Sequence, residues 1–187
     1  MSSDCRNGTG CGIERQSHNM RKLLLAAALL LVAVSSAHAA DYSGSWSLDK
    51  AKSSNLPPYY EQITGHDLKI TQDGSELAVT ATITADHGPD NFDFRYKLDG
   101  SRSETETSVR TPSGAMKVPT VLQLANAENG DLKITIEREL PSRDGSSFKG
   151  TTVENWHLDA GGKVLTIDRV DETRRGRMES KMVFVRK

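Results

Sequence analysis

The stretch that decides the fold runs Phe148-Lys149-Gly150-Thr151-Thr152-Val153-Glu154-Asn155-Trp156-His157-Leu158, turns at Asp159-Ala160-Gly161-Gly162 and returns as Lys163-Val164-Leu165-Thr166-Ile167-Asp168-Arg169-Val170. Read with the period of two that a strand imposes, its first half puts Phe148, Thr152, Glu154, Trp156 and Leu158 on one face. The return puts Leu165, Ile167 and Arg169 on a matching face. With Leu158 paired to Lys163, Trp156 faces Leu165 and Glu154 faces Ile167. Arg169 then lies diagonal to Glu154, within reach of long side chains. A glutamate and an arginine thus share the buried face of a β-sheet with a tryptophan.

Working upstream, Leu132, Ile134, Ile136, Arg138 and Leu140 form another alternating run, so Arg138 is in phase with the core. The turn before it admits two registers. A two-residue Asn129-Gly130 turn sets Leu132 and Ile134 against alanines. A three-residue loop with Gly130 in the left-handed region sets Ile134 against Leu124 and Ile136 against Leu122. The second buries more apolar surface and is preferred. Earlier still, Leu68 and Ile70 alternate before Asp73-Gly74, and Leu77, Val79, Ala81 and Ile83 after it. A two-residue Asp-Gly turn pairs Ile70 with Leu77 and Leu68 with Val79. Phe92, Phe94, Tyr96 and Leu98 lead to Asp99-Gly100, which sets Arg95 opposite Glu104 on the outer face. The returning strand offers Ser103, Thr105, Thr107 and Val109 inward, a polar wall that suits either a cavity or a splayed, solvated edge.

The first strand is Tyr42, Gly44, Trp46 and Leu48 alternating with small polar residues. The connection through Pro57-Pro58 to Gly65 is long enough to lie across one end, with Tyr59, Tyr60 and Ile63 covering the core. The last strand has two readings: Met178, Ser180, Met182 and Phe184 inward, or burial of Val183 and Val185 on the other side as well. About ten strands separated by turn signals, with no long helical period, make an all-β antiparallel up-and-down meander of about 8–10 strands. Closure into a barrel removes its exposed edges, and a two-sheet β-sandwich is the alternative.

Residues 1–39 are set apart. Met20-Arg21-Lys22, the apolar run Leu23 to Val34 and Ala37-His38-Ala39 have the order of an export signal, Met20 to Ala39, cleaved after Ala39. Met20 is a candidate initiator, and Met1 the alternative. Both cysteines, Cys5 and Cys11, lie in this part, so residues 40–187 form a single domain without disulfide or thiol. The expected product is periplasmic or secreted, monomeric, and without a stable membrane anchor. With 24 Lys and Arg against 25 Asp and Glu, spread along alternating positions, the chain has no basic stripe for nucleic acid.

Two motifs carry a family resemblance. Gly44-Ser45-Trp46-Ser47-Leu48-Asp49 with Ala51-Lys52-Ser53, and Glu154-Asn155-Trp156-His157-Leu158 with Gly162 to Arg169, resemble the G-x-W-x-L opening and the E-x-W-x-L…L-T hairpin of lipocalin-like secreted bacterial proteins. The resemblance covers residues 40–187 and implies a calycin-like barrel with a binding role. In lipocalins the tryptophan closes the barrel floor against an arginine from a late strand. Trp46 matches the first; Arg169 and Arg186 both fit the second.

Arg138, Glu154 and Arg169 are three in-phase charges with one cation in excess of the glutamate. Their burial is costly unless the hydrogen bonds are complete. A surplus guanidinium can receive a carboxylate or phosphate bidentately; a structural ion cluster is the competing reading. The expected function is therefore binding of a small apolar or anionic amphiphile, with Arg138 and Arg169 toward the head group, Glu154 beside them at the ligand site, and Trp46, Tyr96 and Trp156 among the walls. The alternative is a filled barrel whose loops meet another envelope protein. No G-x-S-x-G, H-E-x-x-H or phosphate-cradling glycine loop is present, and the histidines have no metal-ligand spacing. Neither enzyme, metal nor cofactor is expected.

Overall fold

The computed structural model describes residues 40–111, 114–127, 130–142, 144–174 and 176–187. The expected export signal, both cysteines and Asn129 lie outside the described residues. Ten strands follow in chain order: β1 Gly44–Leu48, β2 Ile63–Gln72, β3 Glu76–Ala85, β4 Gly88–Lys97, β5 Ser103–Thr111, β6 Gly114–Asn126, β7 Leu132–Pro141, β8 Ser147–Leu158, β9 Val164–Thr173 and β10 Gly176–Arg186. A single turn of 3-10 helix, Pro58–Glu61, interrupts the β1–β2 connection. The strands form one antiparallel sheet in the order β4-β3-β2-β1-β10-β9-β8-β7-β6-β5, a meander whose last strand returns beside its first. It curls into a nearly closed barrel.

The inner face is built by period-two alternation. Leu68 and Ile70 of β2, Leu77 and Val79 of β3, Leu132, Ile134 and Ile136 of β7, and Leu165 and Ile167 of β9 are buried in one core cluster. Burying a side chain of this kind contributes roughly 1.5–3 kcal/mol, which is what fixes the inward face of each strand. The three-residue β6–β7 loop is as expected: Leu124 faces Ile134, Leu122 faces Ile136, and Gly130 has φ +81°.

Three pairings differ from the sequence reading. In the β2–β3 hairpin Ile70 faces Val79 and Leu68 faces Ala81. The two-residue loop is Gly74-Ser75, because the Asp73 carboxylate accepts from the Ser75 and Glu76 amides and so belongs to the strand end. The β8–β9 register is offset in the same sense. Leu158 faces Leu165, Trp156 faces Ile167, and Glu154 stands directly opposite Arg169 rather than diagonal to it. There Asp159 accepts from the amides of Lys163 and Val164, which sets the loop one residue later. Each offset shifts the pairing by two residues, so inward faces are conserved while partners change.

The third difference is that β4 and β5 share no ladder, so Arg95 does not face Glu104. Arg95 pairs with Glu76 on β3 at 2.6 Å. Ser103, Thr105 and Thr107 offer β4 no large apolar partner, so zipping these edges would bury little. Of that wall Thr107 is buried, whereas Thr105 is exposed. On β10, Ser180, Met182 and Phe184 are inward and Val183 is also buried, but Met178 is exposed.

One end of the barrel is closed by the first motif. Trp46 is fully buried and donates from Nε1 to the Tyr42 carbonyl at 3.1 Å. The Arg186 guanidinium lies 4.3 Å from its ring centroid. Gly44 has φ +143°, and a Cβ there would overlap Arg186 Nη1. The Gly-x-Trp spacing therefore has a steric cause: the glycine leaves the space the arginine occupies. Of the two arginines that fit Trp46, the structure selects Arg186.

Candidate ligand cavity

Inside the barrel, away from Trp46, is a cavity of about 280 Å3. Its apolar wall includes Leu68, Val79, Phe92, Phe94, Ile136 and Trp156, and its polar wall Tyr96, Arg138, Glu154 and Arg169. Five of the six residues singled out from sequence thus line one space; Trp46 does not.

The charges come from adjacent strands. Glu154 on β8 is 7% exposed, and its two oxygens have separate partners: Trp156 Nε1 at 2.9 Å and Arg169 Nη1 at 3.3 Å. The second contact exists because the register sets Glu154 against Arg169. Arg169 turns its Nε and Nη2 to Asp171, at 2.7 and 2.8 Å, in a two-pronged pair. Asp171 also accepts from Thr152 Oγ1 at 2.6 Å. Burial works against the Arg169 charge, but the Asp171 hydrogen bonds and the charges of Glu154 and Asp171 outweigh it and raise its pKa. Burial likewise opposes the Asp171 carboxylate, and Arg169 more than compensates and lowers its pKa.

Asp171 changes the charge count: two carboxylates stand beside Arg138 and Arg169, where a single glutamate was expected. Both are held by Arg169. Arg138 has a different environment. It donates from Nε to Thr107 Oγ1 at 3.2 Å and lies 6.0 Å from the Phe94 ring centroid. Among the described residues neither Nη has an acceptor, and no carboxylate lies within salt-bridge distance. Burial, and then the Arg169 charge, lower its pKa.

Tyr96 is similar. It is 3% exposed, stacks on Phe94 at 6.2 Å, and its hydroxyl has no hydrogen-bond partner among the described residues. No fully enclosed side-chain nitrogen or oxygen among the described residues lacks a partner. The Tyr96 hydroxyl therefore opens onto cavity space, and Arg138 lines both that cavity and an outer groove of about 520 Å3 beside Glu104, Thr120 and Phe148. Burial, followed by the Glu154 charge, raises the Tyr96 pKa, so the phenol remains a proton donor. The barrel wall thus carries a cation and a neutral donor, both unsatisfied by protein.

A second polar group was not anticipated. A bulge between Ile63 and Gly65 shifts the phase of β2, so Ile63 and His66 are both buried. His66 Nδ1 is 3.1 Å from the Tyr60 hydroxyl, which lies 3.4 Å from Met182 Sδ. Burial, reinforced by Arg169, depresses the imidazole to about 4. The signal was present: His66 is in phase with Leu68 and Ile70, and Asp171 with Arg169. Tyr60 and Ile63 cover the core as expected, whereas Tyr59 is 47% exposed. Lys50 Nζ fixes the turn through the carbonyls of Tyr60 at 2.8 Å and Ile63 at 2.5 Å.

No protein-family model matches the sequence, and no curated protein does. Among solved structures, the chain is similar to lipid binding protein 8 of Caenorhabditis elegans, at 14% identity over 78% of this chain and 95% of that one, with a TM-score of 0.47. It is similar to the zebrafish ileal bile acid-binding protein at 10% identity, over 78% and 98% of the two chains, with a TM-score of 0.44. Lobster apocrustacyanin A1 matches at 14% identity over 89% and 68%, with a TM-score of 0.39.

Proposed function

We propose that the barrel binds a small amphiphilic anion in its interior. The anionic group sits on Arg138 and Tyr96, and the apolar part lies against Phe92, Phe94, Ile136 and Trp156. The observation that carries this reading is the Arg138 guanidinium, lining a cavity with both Nη atoms lacking a protein acceptor. A half-buried cation without a carboxylate partner costs folding energy, and a bidentate carboxylate or phosphate supplies the hydrogen bonds that the protein does not give its Nη atoms. Glu154 and Arg169 have another part in it. With Asp171 they form a satisfied ion cluster that fixes the wall beside Arg138. Trp46 belongs to the barrel floor. A void that reaches both Arg138 and Arg169 favours this reading over a filled barrel. Export through the signal Met20 to Ala39, with a monomeric periplasmic or secreted product, is part of the proposal and is supported by the order of charge, apolar run and cleavage signal.

Calorimetric titration of decanoate into the protein tests the reading. Saturable one-to-one binding is expected, weakened about 30-fold or more in Arg138→Met, since charge-assisted hydrogen bonds contribute about 1.5–3 kcal/mol each. No saturable binding of any straight-chain acid from six to sixteen carbons would overturn it.

A further inference from the structure

The cavity adjoins an outer groove of about 610 Å3 lined by Ile63, Ala85 and the β3–β4 connection. Three side chains line both spaces: Tyr59, Ile83 and Phe92. They form the partition between inside and outside. Two of them are fixed by the sheet. Ile83 pairs with Asp90 and Phe92 with Ala81, both within a continuous β3–β4 ladder. Tyr59 is of another kind. It sits on the one-turn 3-10 segment, 47% exposed, with its ring packed 4.7 Å from that of Tyr60. Tyr60 beside it is held by His66, Met182 and Lys50, so the turn is anchored while the Tyr59 ring projects into the partition.

The volumes make the position of this ring matter. At about 30 Å3 for each water-sized group, the inner cavity takes roughly nine such groups. That is an acid of about eight to ten carbons, and the volume is at the low end of the usual range for ligand pockets. The outer groove is apolar where it meets the partition, through Ile63 and Ala85, and it lengthens the path from Arg138; Asp86, His87 and Asp90 line its β3–β4 side.

We infer that Tyr59 sets the upper length of the bound amphiphile. With the ring in place the cavity ends at the partition and selects short acids. Without it the cavity and groove join, and a longer tail runs out past Ile83 and Phe92 along Ile63 and Ala85. The inference rests on the ligand reading above, and the two fail in different ways.

The test is a calorimetric series of straight-chain carboxylates from hexanoate to palmitate, below their aggregation concentrations, on the full chain and on Tyr59→Ala and Tyr59→Phe. In the wild type, affinity rises about fourfold per methylene to about ten carbons and then falls. In Tyr59→Ala the rise continues to fourteen or sixteen carbons, with palmitate bound at least about tenfold more tightly than by the wild type. Tyr59→Phe keeps the ring and the wild-type optimum. The same optimum in the wild type and Tyr59→Ala overturns the inference, as does a wild type that already prefers palmitate, or a Tyr59→Phe that behaves as the alanine variant. Binding of no acid by any of the three overturns the ligand reading itself, and the inference with it.

Discussion

Replacing Arg138 by methionine should stabilise the empty protein while weakening its binding of anions. The cation is partly buried, its nearest charged neighbour in effect is the like-charged Arg169, and its carboxylate neighbours are committed elsewhere. Exchanging buried charge for a well-packed apolar side chain is commonly neutral or stabilising by about 1–4 kcal/mol. Against this stand one hydrogen bond to Thr107, about 1 kcal/mol, and a distant contact with Phe94, about 0.5 kcal/mol at most. Thr107 is not orphaned, because its hydroxyl also meets Thr120 Oγ1 at 2.7 Å. Methionine retains much of the arginine stem's packing. The balance is a gain of about 1 kcal/mol, or roughly 2–4 °C in Tm for a chain of this size. Urea unfolding of ligand-stripped protein measures it, with the slope m checked for constancy. A loss of more than about 1 kcal/mol would refute the reasoning and make Arg138 a structural cation.

The floor and the histidine give two further expectations. Gly44→Ala forces a side chain onto a left-handed residue and displaces Arg186 from Trp46, so it should cost about 2 kcal/mol in urea unfolding, whereas Ser45→Ala beside it should cost under 0.5 kcal/mol. His66 has a native pKa of about 4 against an ordinary value of 6.5, so between those values the unfolded chain binds the extra proton. Stability therefore falls as the pH drops from 6.5 toward 4, by about 3 kcal/mol through this group. His66→Phe should flatten the stability profile over that window; identical profiles would show that burial leaves the imidazole's protonation unaltered.

Strand positions and inward faces were legible because they depend only on alternation, which survives a two-residue shift in pairing. Ile134 against Leu124 was also legible, since the competing register offered alanines instead. The turns were less so. Asp73 and Asp159 look like loop residues by composition, yet their carboxylates cap the amides that follow and set the loop one residue later. That detail turns Glu154 from a diagonal neighbour of Arg169 into its direct partner. Arg138, Glu154, Arg169, Tyr96 and Trp156 were found by phase alone. Asp171 and His66 share that phase: Asp171 lies two residues beyond Arg169 on β9, and His66 follows the bulge between Ile63 and Gly65. Which arginine lies free could not be read from sequence, because it depends on how Asp171 and Glu154 divide themselves, and both go to Arg169. Trp46 carries the same G-x-W signature on either reading, and only the position of Arg186 assigns it to the floor.

The central claim is that Arg138 and Tyr96 take up an anion inside the barrel. A crystal structure of the protein with decanoate tests it most directly. The account predicts one carboxylate within hydrogen-bond distance of Arg138 Nη and Tyr96 Oη, with the alkyl chain between Phe94 and Trp156. A saturated crystal with the carboxylate on the outer surface, or with the cavity holding only water, would contradict it.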